Sequence, residues 1–169
     1  AGKIELNNWK KYISWITQIS NINNNNSIFE VGCGSGAFLY CFYMNGHVVG
    51  GIDYSKKLIN LAKSIMPNGN IVYDSANNLD IKKKYDIVLS NSVFQYFPNI
   101  QYAEDVIDKM LNKAREKIIC LDINNKIYEE KAHKIRRGAL TRSEYNRKYK
   151  AYEHQYYDKE LFCDIAKKH

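Results

Sequence analysis

The sequence predicts an α/β fold, in which a mostly parallel β-sheet is covered by helices on both faces. Short apolar runs alternate with segments in which apolar residues recur at helical spacing, and the first apolar run ends in a cluster of glycines. Parallel strands need such intervening helices, because each new strand is reached by a crossover connection. The length of 169 residues suits one domain, and no repeat or long linker divides it. We therefore predict a single domain over residues 1–169.

Each predicted element has a local signal. Trp9, Ile13 and Ile16 recur at helical spacing and predict the first helix. Ser55 suits the N-cap of a later helix, and Pro67 ends it because proline cannot continue a helix. The predicted helices span about 7–20, 37–43, 55–65 and 102–113 and one begins near 158, and the predicted strands span 27–31, 47–52, 70–73, 85–89 and 117–122.

Several classes of protein are disfavoured by composition. No apolar stretch approaches the ~20 residues that span a bilayer, and no charged-then-apolar leader opens the chain. The four cysteines are scattered, with no Cys-x-x-Cys pair and no paired histidines, which argues against a zinc site and against a disulfide framework. We predict a cytoplasmic protein of bacterial type with no metal and no membrane partner, and the sequence leaves its oligomeric state open.

The most informative segment is the glycine-rich turn that follows the first strand. Gly32-x-Gly34-x-x-Ala37 fits a dinucleotide-binding turn, although that match alone is weak evidence. A third glycine at Gly36 and the carboxylate of Glu30, two residues before the first glycine, favour a ligand with an ammonium group over one with a pyrophosphate. At these residues the sequence resembles the class I S-adenosylmethionine-dependent methyltransferases, and the resemblance implies their Rossmann-like sheet.

Two further motifs extend the resemblance to the rest of the cofactor site. Asp53 ends the second strand, 21 residues after Gly32, where a carboxylate can accept both ribose hydroxyls. In the family the next residue, here Tyr54, lies against the adenine, and an acidic residue at the place of Asp74 accepts from the adenine amino group. The predicted cofactor-binding residues are Glu30, Gly32, Cys33, Gly34, Gly36, Asp53, Tyr54, Ser55, Asp74, Ser75, Ser90 and Asn91.

The segment 85–98 resembles the family's fourth-strand motif, after which side chains face the methyl acceptor. Related small-molecule enzymes often have a histidine pair where this chain has Gln95 and Tyr96. His154 is the preferred candidate for a general base, because an ordinary histidine pKa of ~6.5 suits proton transfer at neutral pH. The predicted catalytic residues are therefore His154, Gln95 and Tyr96. A structural or exposed histidine at 154 remains an open alternative.

A basic, aromatic segment at about 126–157 follows the fifth strand and is predicted to cap the acceptor site. Eight basic residues lie within 131–150, against Glu144 alone. Arginine forks bind carboxylate or phosphate in bidentate fashion, which favours an anionic acceptor. The predicted substrate-binding residues are Arg136, Arg137, Tyr156 and Tyr157. A solvated helical surface, or a surface for single-stranded nucleic acid, would give the same pattern.

The combined prediction is a methyltransferase that uses S-adenosylmethionine, releases S-adenosylhomocysteine and methylates an oxygen of a small, anionic or sugar- or nucleotide-linked acceptor. The (Asn/Asp/Ser)-Pro-Pro-(Tyr/Phe) motif of base-modifying enzymes is absent, since that place reads Ser90 to Val93, and nucleic acid is the less favoured partner. An overall likeness to methyltransferases of bacterial surface-polysaccharide pathways implies a capsule precursor, such as a phosphoramidate. An RNA methyltransferase, a catalytically silent binding subunit and a nicotinamide-dependent enzyme remain alternatives.

The number of predicted strands is smaller than the family usually has. Class I methyltransferases usually have seven, of which the last two form an antiparallel hairpin, and five are predicted here. The fifth strand would then have an uncovered edge, which favours aggregation. We therefore expect that the chain is truncated before the last two strands.

Overall fold

The computed structural model describes residues 6–138, 140–149 and 154–169. Its helices and strands alternate from the first strand to the fifth, as the sequence predicts. The helices are α1 Leu6–Ile19, α2 Ala37–Met44, α3 Lys56–Ile65, α4 Ile100–Lys113, α5 Glu129–Arg137, α6 Arg142–Tyr149 and α7 Lys159–Lys168. The strands are β1 Ile28–Val31, β2 Val49–Asp53, β3 Asn70–Tyr73, β4 Tyr85–Asn91 and β5 Ala114–Leu121.

The five strands form one sheet in the order β3-β2-β1-β4-β5. β1 pairs in parallel with both β2 and β4, and β2 pairs in parallel with β3. The chain moves outward from β1 to β3 and then returns to β4 on the other side of β1. Right-handed crossovers then place the connecting helices on opposite faces of the sheet. The predicted fold class, a mostly parallel Rossmann-like sheet flanked by helices, is confirmed.

Burial follows the position of each strand in the sheet. All residues of β1 and of β2 are buried, as expected for central parallel strands covered on both faces. β3 lies at the edge, and only Ile71 of its four residues is buried. The centre of the sheet therefore holds the hydrophobic core, and it also buries two carboxylates, Glu30 and Asp53.

The last two strands are longer than predicted. β4 continues through Ser90 and Asn91, and β5 begins at Ala114, directly after α4, and ends before Asp122. Each of these strands is followed directly by a residue with left-handed backbone, since Ser92 has φ 59° and Asp122 has φ 54°. The Ser92 hydroxyl donates to the Asp122 carboxylate, and the Ser92 N–H donates to Leu121 O at 3.2 Å. Local sequence gave no signal for this pair.

Backbone contacts divide the chain into two compact units. The sheet unit comprises residues 1–91 and 105–120, and the carboxy-terminal unit comprises residues 92–104 and 121–169. The carboxy-terminal unit has an aromatic core in which Phe94 contacts Phe97, Tyr157 and Phe162, with ring centroids 4.9 to 6.0 Å apart. Within the described ranges, no helix combines the length and the apolar character needed to cross a bilayer.

Candidate cofactor and acceptor sites

The glycine-rich turn lies directly after β1, where the sequence predicts it. Gly32, Gly34 and Gly36 have φ angles of 76°, 52° and 81°, all in the left-handed region that glycine enters at little cost. The N–H groups of Gly32 and Cys33 donate to Ile52 O, which ties the turn to β2. The turn therefore exposes backbone, not side chains, at the start of α2.

Asp53 joins the end of β2 to this turn. Its Oδ2 accepts from the Gly34 N–H at 2.9 Å and its Oδ1 accepts from the Ser55 N–H at 2.8 Å, while the residue is only 8% exposed. Each carboxylate oxygen has a second acceptor position. The carboxylate can therefore hold the turn and still accept from two hydroxyl groups of a ligand, as predicted for a ribose.

Glu30 is a buried carboxylate with an unused oxygen. The Leu39 N–H donates to it, but Oε2 has no hydrogen-bond partner in the described part of the chain. Burial, and then the charge of Asp53, raise the pKa of Glu30 well above its usual range, and burial and both carboxylates also raise the pKa of the Cys33 thiol. A buried acceptor without a donor is unfavourable. A ligand ammonium group would satisfy it.

We expect Glu30→Gln to stabilise the free protein near pH 8 and to weaken S-adenosylhomocysteine binding about 10-fold. Because the pKa of Glu30 is higher in the folded than in the unfolded protein, this residue contributes stability below pH ~4.3. That contribution is lost as the pH rises through the folded-state pKa. Glutamine cannot ionise, so it avoids this loss of stability, and it also lacks the charge that attracts an ammonium group. Urea unfolding and calorimetry from pH 4.5 to 8 measure both effects. A stability difference independent of pH would contradict the prediction.

The predicted adenine side of the site gathers beside Asp53. The Asp74 N–H donates to Asp53 O at 3.1 Å, so the ends of β2 and β3 meet here. Asp74 Oδ1 accepts from Asn78 Nδ2 and from the Ser75 N–H, which lowers the pKa of Asp74. Tyr54 is 77% exposed, and Ser55 occupies the predicted N-cap of α3, although its side chain makes no capping hydrogen bond. An exposed aromatic ring and a carboxylate thus follow adjacent strands.

The end of β4 contains the other two predicted cofactor residues. Ser90 is fully buried, and its Oγ has no partner among the residues described. Asn91 Oδ1 accepts from the Tyr12 hydroxyl of α1 at 3.0 Å. Trp9, one turn earlier, donates from Nε1 to Ala37 O at 3.1 Å. β1 and β4 flank the point where the strand order reverses, which is where ligands bind in open α/β sheets.

Sequence analysis missed this contribution of α1. The sequence pattern places Trp9 in an amphipathic helix and assigns no role to Tyr12. Their polar groups reach the start of α2 and the end of β4, and both rings pack against Phe38. The available signal was two aromatic residues with polar groups, three positions apart in one predicted helix.

The predicted catalytic residues come together in the carboxy-terminal unit. The Tyr96 and His154 rings meet edge to face, with centroids 5.1 Å apart. The Gln155 N–H donates to Gln95 O at 2.9 Å, so the segments around 95 and 155 lie side by side. The Gln95 side chain is buried, and its Oε1 has no hydrogen-bond partner in the ranges that the structure covers.

The predicted substrate-binding residues have different environments. Arg136 Nη2 lies 2.8 Å from His154 Nδ1, and Arg137 is exposed on the same helix. Tyr156 is partly exposed, and its ring is tilted by 41° against that of His133, with centroids 5.6 Å apart. Tyr157 is 1% exposed and its hydroxyl donates to Phe94 O at 2.7 Å, so its geometry favours a structural role over ligand contact. Parts of the predicted cap, at 139 and 150–153, lie outside the described residues.

The environment of His154 differs from the one expected for the predicted general base. Burial, then Arg136, then His133 lower the pKa of its imidazole. Its Nδ1 lone pair faces a guanidinium, which has only donors. This geometry favours a hydrogen-bonding role over the predicted role of general base. In the described ranges, no group of three or more His, Cys, Asp or Glu side chains could hold a metal ion.

Comparison with known families decides between the ligand classes. The sequence profile of a family described as "Methyltransferase domain" matches residues 22–160. The chain belongs to this family. The match includes the glycine turn, Asp53, Asp74, the β4 segment and His154.

Individual relatives of this methyltransferase domain are distant. Malonyl-[acyl-carrier protein] O-methyltransferase from Priestia megaterium is 29% identical over 105 residues, which are 59% of this chain and 38% of that protein. Nonribosomal peptide synthetase dtxS1 from Metarhizium robertsii is 29% identical over 121 residues, which are 66% of this chain and 2% of that protein. The chain therefore spans less than two fifths of either protein.

A solved structure of similar fold is magnesium protoporphyrin IX methyltransferase from Synechocystis, crystallised with bound S-adenosylhomocysteine. It has a TM-score of 0.69 and 18% sequence identity, and the alignment covers 98% of this chain and 77% of that one. At this identity the likeness concerns the fold, and it agrees with the sheet order found here.

Proposed function

We propose that this methyltransferase domain binds S-adenosylmethionine in the sheet unit and methylates an anionic oxygen of a small acceptor. The observation that carries the proposal is the combination of three left-handed glycines with two buried carboxylates, Glu30 and Asp53. Two carboxylates repel a pyrophosphate and attract an ammonium group. This charge pattern favours an amino-acid nucleoside over a dinucleotide.

Each residue of the cradle has a distinct proposed role. When bound, S-adenosylmethionine supplies a methyl group on a sulfonium centre that is already a good leaving group. Asp53 accepts from the ribose hydroxyls, and Glu30 holds the ammonium group with its unused Oε2. Asp74 accepts from the adenine amino group with its second oxygen, and Tyr54 covers the ring. The remaining task of the protein is to align the acceptor and exclude water.

An anionic acceptor is supported by the carboxy-terminal unit. An oxygen that is already anionic needs no general base, which suits a site where His154 faces a guanidinium. Arg136 has no carboxylate partner within ion-pair distance in the part of the chain described. The similarity to an enzyme named as an O-methyltransferase of a malonyl group supports transfer to oxygen. A sugar- or nucleotide-linked capsule precursor is the finer prediction for the acceptor.

Two measurements test the proposal. Calorimetry should detect binding of S-adenosylhomocysteine and no comparable binding of NAD. Transfer of radiolabelled methyl groups should then be measured with malonyl thioesters, sugar phosphates, their neutral analogues and single-stranded RNA. Incorporation confined to the anionic small molecules is expected. A folded protein that binds NAD and not S-adenosylhomocysteine would refute the cofactor assignment, and label found only in RNA would favour a nucleic-acid methyltransferase.

A further inference from the structure

We propose that Arg136 and a neutral His154 form an anion-binding pair, in which His154 donates a hydrogen bond from Nε2 and does not act as a base. The proposal rests on the function proposed above and assigns a site for the anionic group of the acceptor. Both residues belong to the carboxy-terminal unit. The ligand class is a small carboxylate or phosphate.

The contact between the two side chains determines the histidine tautomer. Arg136 Nη2 and His154 Nδ1 are 2.8 Å apart, and a guanidinium can only donate. Nδ1 must therefore be the acceptor, because a protonated Nδ1 would place two donors against each other. A neutral imidazole has one N–H, and here it must be on Nε2. Among the described residues, the His154 side chain is hydrogen-bonded at Nδ1 only, which leaves its Nε2–H to donate to a ligand.

The charges around His154 oppose its protonation. Arg136 and His133 of α5 face it from one element, and the Tyr96 ring packs against it from another. Burial and the two basic neighbours lower the pKa of His154. The Glu129 Oε1 atom lies 3.7 Å from His133 Nε2, so this carboxylate contacts His133. At pH values above this lowered pKa, His154 is therefore neutral, and its Nε2–H is a hydrogen-bond donor.

Among the described residues, no carboxylate lies within ion-pair distance of Arg136. Arg136 is partly exposed, and its recorded hydrogen bond goes to a neutral ring. The other N–H groups of the guanidinium and the Nε2–H of His154 are all donors. Carboxylate and phosphate groups supply several acceptor oxygens to such a set, and charge-assisted hydrogen bonds to them are among the stronger ones. A neutral hydroxyl would leave the charge uncompensated.

The test uses NMR titration to measure the binding of malonate and of inorganic phosphate to four variants. Arg136→Met should weaken binding of at least one probe by about 10-fold or more, and His154→Ala should weaken it by a smaller factor. His154→Gln should bind nearly as well as the parent, because its amide can reach the position of Nε2, donates a hydrogen bond and has no basic nitrogen. Lys134→Met, which removes an exposed cation two positions earlier in α5, is the matched control and should bind normally.

A second measurement reads the tautomer directly. Two-bond ¹H–¹⁵N correlation of the imidazoles should show the Nε2–H tautomer of His154 from pH 6.5 to 8.5. In Arg136→Met, His154 should lose its preference for this tautomer. The Nδ1–H form in the parent, or equal binding of both probes by the parent and Arg136→Met, would overturn the proposal. S-adenosylhomocysteine binding, measured on every variant, keeps failure of this pair distinct from failure of the cofactor site.

Discussion

Gly36→Ala is expected to lower the free energy of unfolding by about 2–4 kcal/mol and to abolish measurable S-adenosylhomocysteine binding. Gly36 has φ 81°, and an added Cβ would lie 2.4 Å from Met66 Cε and 3.4 Å from Ala62 Cβ. Met66 Cε is the end of a flexible side chain, but Met66 is fully buried, so its displacement must be absorbed by the surrounding core. Relief of the overlap would shift the turn that precedes α2, and with it the backbone proposed to contact the cofactor.

Gly46→Ala is the matched control. Gly46 has φ 85°, nearly the same backbone, but nothing lies within 4 Å of an added Cβ. Only the backbone strain of about 1 kcal/mol should appear, and binding should be unchanged. Urea unfolding and calorimetry on both variants separate strain from overlap. Equal losses of stability in the two variants would show that the contact with Met66 has no effect.

Asp53→Ala is expected to weaken S-adenosylhomocysteine binding by at least about 100-fold, through loss of two charge-assisted hydrogen bonds to the ribose. It also leaves the Gly34 and Ser55 N–H groups without their acceptor. Asp53→Asn should be nearly as harmful. Both carboxylate oxygens accept from backbone N–H groups, so an amide would place a donor against a donor.

Asp74→Asn provides the comparison for this prediction. Asp74 accepts both of its recorded hydrogen bonds with Oδ1, so an asparagine can keep them. Its effect on stability should be small, and its effect on binding should be limited to the adenine contact. Calorimetry with S-adenosylhomocysteine and with adenosine measures the difference. A loss of affinity in Asp74→Asn as large as that in Asp53→Asn would contradict the assigned roles.

The predictions that succeeded depended on short-range patterns. The glycine-rich turn at 32–36 and the acid at the end of β2 follow from residue type and spacing, because a tight turn and a strand end are local features. β5 was placed three residues late, since Arg115 and Glu116 look unlike a strand. Their partners, Asp86 and Asn26, come from distant parts of the chain. Contacts between residues so far apart in the chain cannot be predicted from the local sequence.

The features that sequence analysis missed all depend on distant residues meeting. The contact of His154 with Arg136 joins residues 18 positions apart, and the hydrogen bond of Tyr12 to Asn91 joins residues 79 positions apart. Residue type alone suggested a base at 154 and an ordinary helix face at 12. The protonation state of a histidine is decided by its neighbours in space, so the structure was needed to assign it.

The buried Oε2 of Glu30, which lacks a hydrogen-bond partner among the described residues, has a consequence for the amount of the protein in a cell. A ligand that binds only the folded state raises its population by mass action, and proteases act mainly on chains that open. If the methyl donor relieves an internal electrostatic penalty, the ligand-free form should be degraded faster than the liganded form. We therefore expect the abundance of this protein to fall when the supply of the methyl donor is depleted.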